Sequence, residues 1–179
     1  MGTRFSGANL RANGAYQARI MAKRTLSNPI DKQQIAERVQ KIQPSSRRLW
    51  GRMTAPQMIC HLTDSFRVTM GLKRWSTERI SVTPIPVPDW FLKWVAFSVP
   101  LKWQQGTPTR PEVDPEKDGT PPGEFSADCQ ELLQLLNRFT RQPRNFEWQA
   151  HPIFGPMTDA EWMRWGYLHM DHHLRQFGA

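Results

Sequence analysis

Three of the five histidines in this 179-residue chain crowd into five positions, in Leu168-His169-Met-Asp-His172-His173-Leu-Arg-Gln176. A neutral imidazole is the commonest protein metal ligand. On a helix, at ~100° per residue, His169 and His173 lie about 40° apart on one face. Trp162, Trp165 and Gln176 share that face, while Arg164, Tyr167, Asp171 and Arg175 lie opposite. The histidines are therefore expected to look inward among tryptophans, with Asp171 and Arg175 toward solvent. Histidines at i and i+4 on an inward face make a chelating pair. His172 lies ~60° to the other side of His169 and competes as an i+3 ligand. The commoner i, i+4 chelate favours His173 and leaves His172 a packing or supporting role.

A third ligand should come from another helix, because metal sites in bundles are built from side chains on facing helices. Two candidates exist, His61 and His151. His61 stands within a periodic apolar run, and a helix holds a ligand more rigidly than a loop does. His151 lies in Ala-His-Pro-Ile-Phe-Gly, which reads as a loop. Asp64, one turn from His61, is placed either to orient a ligand or simply to face water. Cys60 is a conceivable nucleophile, but it points ~100° away from His61 with no obvious general base.

Four long helices are needed to position these residues, and local signals mark each of them. Asn28-Pro29 is an N-cap followed by proline at the first helical position. Ile35, Val39 and Ile42 then recur at helical spacing until Pro44. Thr54-Ala-Pro-Gln57 is a capping box that opens a run through Met58, Leu62, Phe66 and Met70, ending near Gly71. Residues 126–141 carry Cys129, Leu132, Leu133, Leu136 and Phe139 on one stripe. Thr158-Asp-Ala-Glu161 is a second capping box and opens the histidine-bearing helix, which ends at Gly178.

The connection between the second and third of these helices, residues 76–125, contains nine of the fifteen prolines. Thr83-Pro-Ile-Pro-Val-Pro88 reads as extended, and 89–99 as one short helix. The aromatic residues Trp90, Phe91, Trp94 and Phe97 argue for a cover packed on the helices. The apolar run 90–101 is too short to span a bilayer, which takes ~20 residues. No repeat and no strand alternation is visible. The expected class is all-α: an up-down four-helix bundle with a long proline-rich crossover between helices two and three.

Composition agrees with a globular domain: 39% hydrophobic and 22% charged residues, with eight tryptophans. Two cysteines, Cys60 and Cys129, form neither a CxxC pair nor a disulfide framework, and a reducing cytoplasm fits them best. The net charge is +8. Arg4, Arg11, Arg19, Lys23 and Arg24 supply much of it, from a stretch that contains no acid before Asp31. Residues 1–27 read as a basic, disordered segment, or in part as residues upstream of a start at Met21, with the domain occupying 28–179. No apolar core of a secretory signal is present there. Neither nucleic acid nor a membrane is the expected partner. A small-molecule substrate is expected, with a homodimer as a further option.

The pairing of Gln57-Met-Ile-Cys-His61-Leu-x-Asp-Ser65 with H-x-x-H-H-x-x-Q, from His169 to Gln176, resembles the DinB-like superfamily, whose members are described as metal-dependent hydrolases and transferases. Thr107-Pro-Thr-Arg-Pro-Glu112, Gly119-Thr-Pro-Pro122, His151-Pro-Ile-Phe-Gly155 and the ending His172-His-Leu-Arg-Gln-Phe-Gly178 resemble one bacterial branch of it. The resemblance covers about residues 30–178. It implies an up-down bundle and a histidine triad falling on His61, His169 and His173. It also implies zinc or nickel as the ion. Some members conjugate low-molecular-weight thiols to electrophiles.

Three protein ligands leave an open position, the pattern of catalytic zinc. Water bound there falls toward a pKa of ~7, and a bound thiol is deprotonated. The expected function is thus a metal-dependent transferase using a small thiol. A hydrolase using the same histidines and a non-catalytic, metal-stabilised binding module are the alternatives. Trp162, Trp165 and the run Trp90 to Phe97 are expected to wall the substrate space.

Overall fold

In the computed structural model, residues 23–76, 78, 86–99, 103, 105–106 and 108–179 are described. They form five α-helices: α1, Pro29–Lys41; α2, Ala55–Thr69; α3, Asp89–Ser98; α4, Phe125–Thr140; and α5, Asp159–Gln176. A 3-10 turn covers Pro111–Val113. No strand occurs among the described residues, and the class is all-α. Residues 1–22 of the basic segment, and 83–85 of the stretch expected to be extended, lie outside the described residues.

The helix starts follow from local chemistry. Asn28 accepts from the backbone N–H groups of Ile30 and Asp31. Thr54 and Thr158 each close a complete capping box, with Gln57 and Glu161 respectively. Glu124 caps α4, which therefore begins at Phe125. The apolar faces meet in one core: Ile35 and Val39 from α1, Met58, Leu62 and Phe66 from α2, Leu132, Leu136 and Phe139 from α4, and Trp162, Met170 and Leu174 from α5. Helix α2 packs chiefly on α4, and α1 on α5. The 3-10 turn lies against α2, so the crossover passes directly over the helix that carries His61.

The expected boundary at residue 28 moves upstream. Leu26 is buried in the core, and its backbone N–H donates to the Met163 carbonyl at 3.2 Å. Arg24 donates to the Tyr167 hydroxyl at 3.0 Å, and Arg164 reaches back to the Arg24 carbonyl at 2.6 Å. A lone leucine between polar neighbours has no periodicity, so pattern alone does not mark it as core. The same segment corrects the outer face of α5. Tyr167 is buried beneath it, and Asp171 is paired with Arg38 of α1 at 2.8 Å instead of facing open solvent.

Asp64 is fully buried and ties the crossover down. It accepts from the Thr120 backbone N–H (2.6 Å) and hydroxyl (2.9 Å), from Arg67 (2.9 Å) and from Lys73 (2.7 Å). Burial alone would raise its pKa, but these four donors hold it below the usual carboxylate range. Asp64 is therefore neither a solvated helix residue nor hydrogen-bonded to His61; it anchors the loop. No helix among the described residues is long and apolar enough to cross a membrane.

Candidate metal centre

His61, His169 and His173 come together where the middle of α2 faces the last turns of α5. One nitrogen from each lies within 4.8 Å of the others. His61 is buried, and His169 and His173 are half-buried.

The hydrogen bonds fix which nitrogens are free. His61 Nδ1 lies 2.8 Å from the Val113 carbonyl. A carbonyl only accepts, so Nδ1 carries the proton and Nε2 presents a lone pair. At His173 the same result takes two steps. Gln176 Nε2 donates to the Trp50 carbonyl at 2.9 Å, which turns the amide so that Oε1 faces His173 Nδ1 at 3.1 Å. His173 therefore donates from Nδ1 and also leaves Nε2 unprotonated. His169 Nε2 lies 3.2 Å from His61 Nε2. A proton on His169 bridges that gap in the metal-free protein.

Burial holds all three imidazoles neutral. For His169 and His173 desolvation is the main cause, reinforced by the neighbouring histidines, and both lie well below the usual imidazole range. Burial also lowers His61, against an opposing pull from its Val113 bond and the Asp114 and Asp64 charges. Neutral imidazoles with Nδ1–H held by a carbonyl or amide oxygen are what a metal site requires of its outer shell. The donor set fits a divalent ion of the borderline class: zinc, nickel, copper or iron.

The other candidates fall outside the cluster. His172 packs edge-on against Trp50, with ring centroids 4.7 Å apart, and is pushed down to about 4 by burial and by Arg175. His151 accepts the backbone N–H groups of Ile153 (3.1 Å) and Phe154 (3.3 Å) at Nδ1, and stacks on Phe154. It organises its own loop and is held at about 3 by burial. The Cys60 thiol lies 3.7 Å from Asp128, and burial together with that carboxylate pushes it up to about 12. It is no thiolate nucleophile. Burial likewise lifts Cys129 to about 11.

The aromatic surroundings differ from expectation. Trp162 is fully buried and stacks on Trp148 at 5.2 Å, so it is core and lines no open space. Trp165 does border the cluster, 4.8 Å from the His169 ring. Trp90 and Trp94 are exposed, and no ring contact joins them to the histidines among the described residues. The crossover instead delivers Trp103, with centroids 6.1 Å from His169 and 6.2 Å from His172. Val113, Trp50 and Trp103 were not legible as site residues. Gln176 was, as the last member of H-x-x-H-H-x-x-Q on the histidine face, though without its role.

Fold and site together define an all-α protein whose three converging histidines could hold a metal ion. The profile of a family described as "Protein of unknown function (DUF1569)" matches residues 21–179, and the chain belongs to that family. No curated protein and no solved structure matches the chain.

Proposed function

We propose that the protein is a metal-dependent enzyme of the DinB-like type, a transferase that activates a small thiol at His61, His169 and His173. The observation that carries this reading is the convergence of three neutral imidazoles, two with Nδ1 committed elsewhere. A divalent ion held there supplies Lewis acidity, lowering the pKa of a thiol or water at its open position.

The chain's own groups favour the thiol. Neither cysteine is fit to attack, because both thiols are pushed upward. The nucleophile must therefore come from outside. No carboxylate hydrogen-bonds any of the three rings among the described residues, and Asp64 is fully engaged with Arg67, Lys73 and Thr120. With no carboxylate base at hand, the nucleophile has to be a group that the ion itself deprotonates, a thiol or a water, and the apolar surroundings weigh toward the thiol. Trp103 and Trp165 flank His169 and supply an apolar wall that keeps competing water out. His61 is set by the Val113 carbonyl and His173 by Gln176, so both would present Nε2 to an ion, and His169 would join them in the tautomer that carries its proton on Nδ1.

The test has two readouts. Metal content of protein purified without a histidine tag should approach one ion per chain. Metal-loaded protein should then conjugate a generic electrophile to one of glutathione, bacillithiol, mycothiol, cysteine or coenzyme A, and His173→Ala should abolish it. Ester or amide turnover that depends on His173 but on no thiol would replace the transferase by a hydrolase. Metal without any turnover would leave a metal-stabilised binding module.

A further inference from the structure

Helix α3 presents an apolar surface that the histidine site does not use. Trp90 is 69% exposed, Trp94 54% and Phe91 39%. Their rings touch in series, with centroids 5.8 Å apart for Trp90–Phe91 and 6.0 Å for Phe91–Trp94. The other large exposed apolar residues among the described ones, Ile30, Leu49 and Leu72, are scattered over separate parts of the fold. Single exposed apolar residues are ordinary; a contiguous aromatic patch marks an interaction surface.

The helix is fastened along its other flank. Lys93 donates to the Pro156 carbonyl (2.5 Å) and lies 3.5 Å from Glu161. Phe97 is buried against Phe154 at 5.0 Å, and its carbonyl accepts from Arg164 at 3.1 Å. The three exposed rings thus sit on a fixed support and not on a loose loop.

Cations gather at the C-terminal end of this helix. Lys23 Nζ bonds the Ser98 hydroxyl at 2.9 Å, Arg24 the Tyr167 hydroxyl, and Arg164 the carbonyls of Phe97 and Arg24. Lys23 and Arg24 are exposed and neither forms a salt bridge with a carboxylate among the described residues, although Asp31 and Asp171 act on Arg24 at longer range; Arg164 is half-buried among the fastening contacts. The sequence leading into Lys23 adds Arg4, Arg11 and Arg19 and no acid, in a chain of net charge +8.

We infer that α3 is a docking surface for an anionic lipid bilayer, with Trp90, Phe91 and Trp94 seated at the headgroup boundary and the basic cluster meeting lipid phosphates. Tryptophan rings settle at that boundary because one edge is polar and the body apolar. Aromatic insertion plus a polybasic patch is a two-signal anchor that holds where either alone is weak. Charge weighs against a second copy of the chain as occupant, since each copy carries a net charge of +8 with Lys23 and Arg24 exposed beside this helix. Placement decides against single-stranded nucleic acid. Such sites run cations alongside the stacking rings, whereas here the rings occupy the first turns and the cations the far end of the helix.

The test is co-sedimentation of the full chain with vesicles of phosphatidylcholine alone, or with phosphatidylglycerol added. The chain should partition onto the anionic vesicles only, and release as salt is raised. Trp90→Ala with Trp94→Ala should weaken partition at least about tenfold, with helix content and metal content unchanged. In the unaltered protein, lipids brominated near the headgroup should quench tryptophan fluorescence. Equal binding to neutral vesicles, no effect of the double variant, absence of quenching, or RNA binding in place of vesicle binding would each overturn the inference. So would a concentration-dependent dimer that the double variant dissolves.

Discussion

Gln176 grips His173 from one turn further along the same helix, its amide oxygen 3.1 Å from Nδ1 while its amide nitrogen holds the Trp50 carbonyl. The loop before α2 is thereby coupled to a candidate ligand on α5. The neighbour of Trp50 explains how the amide fits. Gly51 has φ +84°, and a Cβ there would lie 2.0 Å from Gln176 Nε2. Gly51→Ala should therefore displace the amide and free His173 to rotate. Gln176→Ala should lower metal affinity by about 10–100-fold, the usual cost of losing a partner behind a ligand. Gly51→Ala should do the same, with helix content retained by circular dichroism. Unchanged affinity in both variants, measured by chelator competition, would show that His173 is held by packing alone.

The ligand set makes a sharper prediction. His61→Ala, His169→Ala and His173→Ala should each abolish stoichiometric metal. His151→Ala and His172→Ala should leave about one ion per chain, because their nitrogens lie outside the convergent group. Full occupancy in His173→Ala protein would remove the assignment, and the thiol chemistry with it.

The short segment before α1 should carry measurable stability. Leu26 fills a space that Gly166 leaves: a Cβ on Gly166 would lie 2.7 Å from Leu26 Cδ1 and 3.1 Å from Phe139 Cε1. Leu26→Ala should cost about 2–5 kcal/mol, as for other buried leucines. Gly166→Ala should cost about 1–3 kcal/mol through overpacking. In the double variant the smaller Leu26→Ala side chain makes room for the new methyl, so the sum should fall short of additivity. Chemical denaturation of the four proteins checks this. Additive losses would mean the two residues do not share that space.

What the sequence allowed to be read, and what it withheld, divides along physical lines. Helix starts were legible because a capping box is a local bond between residues three apart, as at Thr54–Gln57 and Thr158–Glu161. The His169–His173 pairing was legible because helical periodicity is local too. The Val113 carbonyl was not, since a backbone acceptor carries no residue-type signal and comes from 52 positions away. Trp103 was hidden for a similar reason: the path of a proline-rich crossover has no period to extrapolate. Trp162 misled, because a tryptophan on the histidine face reads equally as site wall or core, and stacking on Trp148 makes it core. Asp64 was read only through its distance from His61, whereas its partners Lys73 and Thr120 come from other segments.

Acid should unfold the metal-free protein from a pH set by its histidines. All five are held below the usual imidazole range: His61, His169 and His173 by burial first, His151 at about 3 and His172 at about 4. The unfolded chain takes up their protons below about pH 6.5, and the folded chain refuses them. The unfolded state therefore binds more protons in that window, so the histidines' contribution to stability is complete above about pH 6.5 and is lost as pH is lowered. The slope is about 1.4 kcal/mol per pH unit for each buried histidine that stays unprotonated. The carboxylates act in a lower window. Glu112, despite partial burial, is held at about 2 by Arg110 and the Ser76 N–H, so its contribution is lost only below about pH 4.5. Melting temperature should thus be level between about pH 7 and 8, drop near pH 6 through the histidines, and fall again above about pH 9, where the unfolded chain ionises the Cys60 and Cys129 thiols that the fold keeps protonated. Bound metal should steepen the drop, because protons compete with it for the same three nitrogens. A melting temperature that stayed level down to about pH 5 in metal-free protein would mean that the histidines accept protons in the folded state, and the neutral, metal-ready cluster would be wrong.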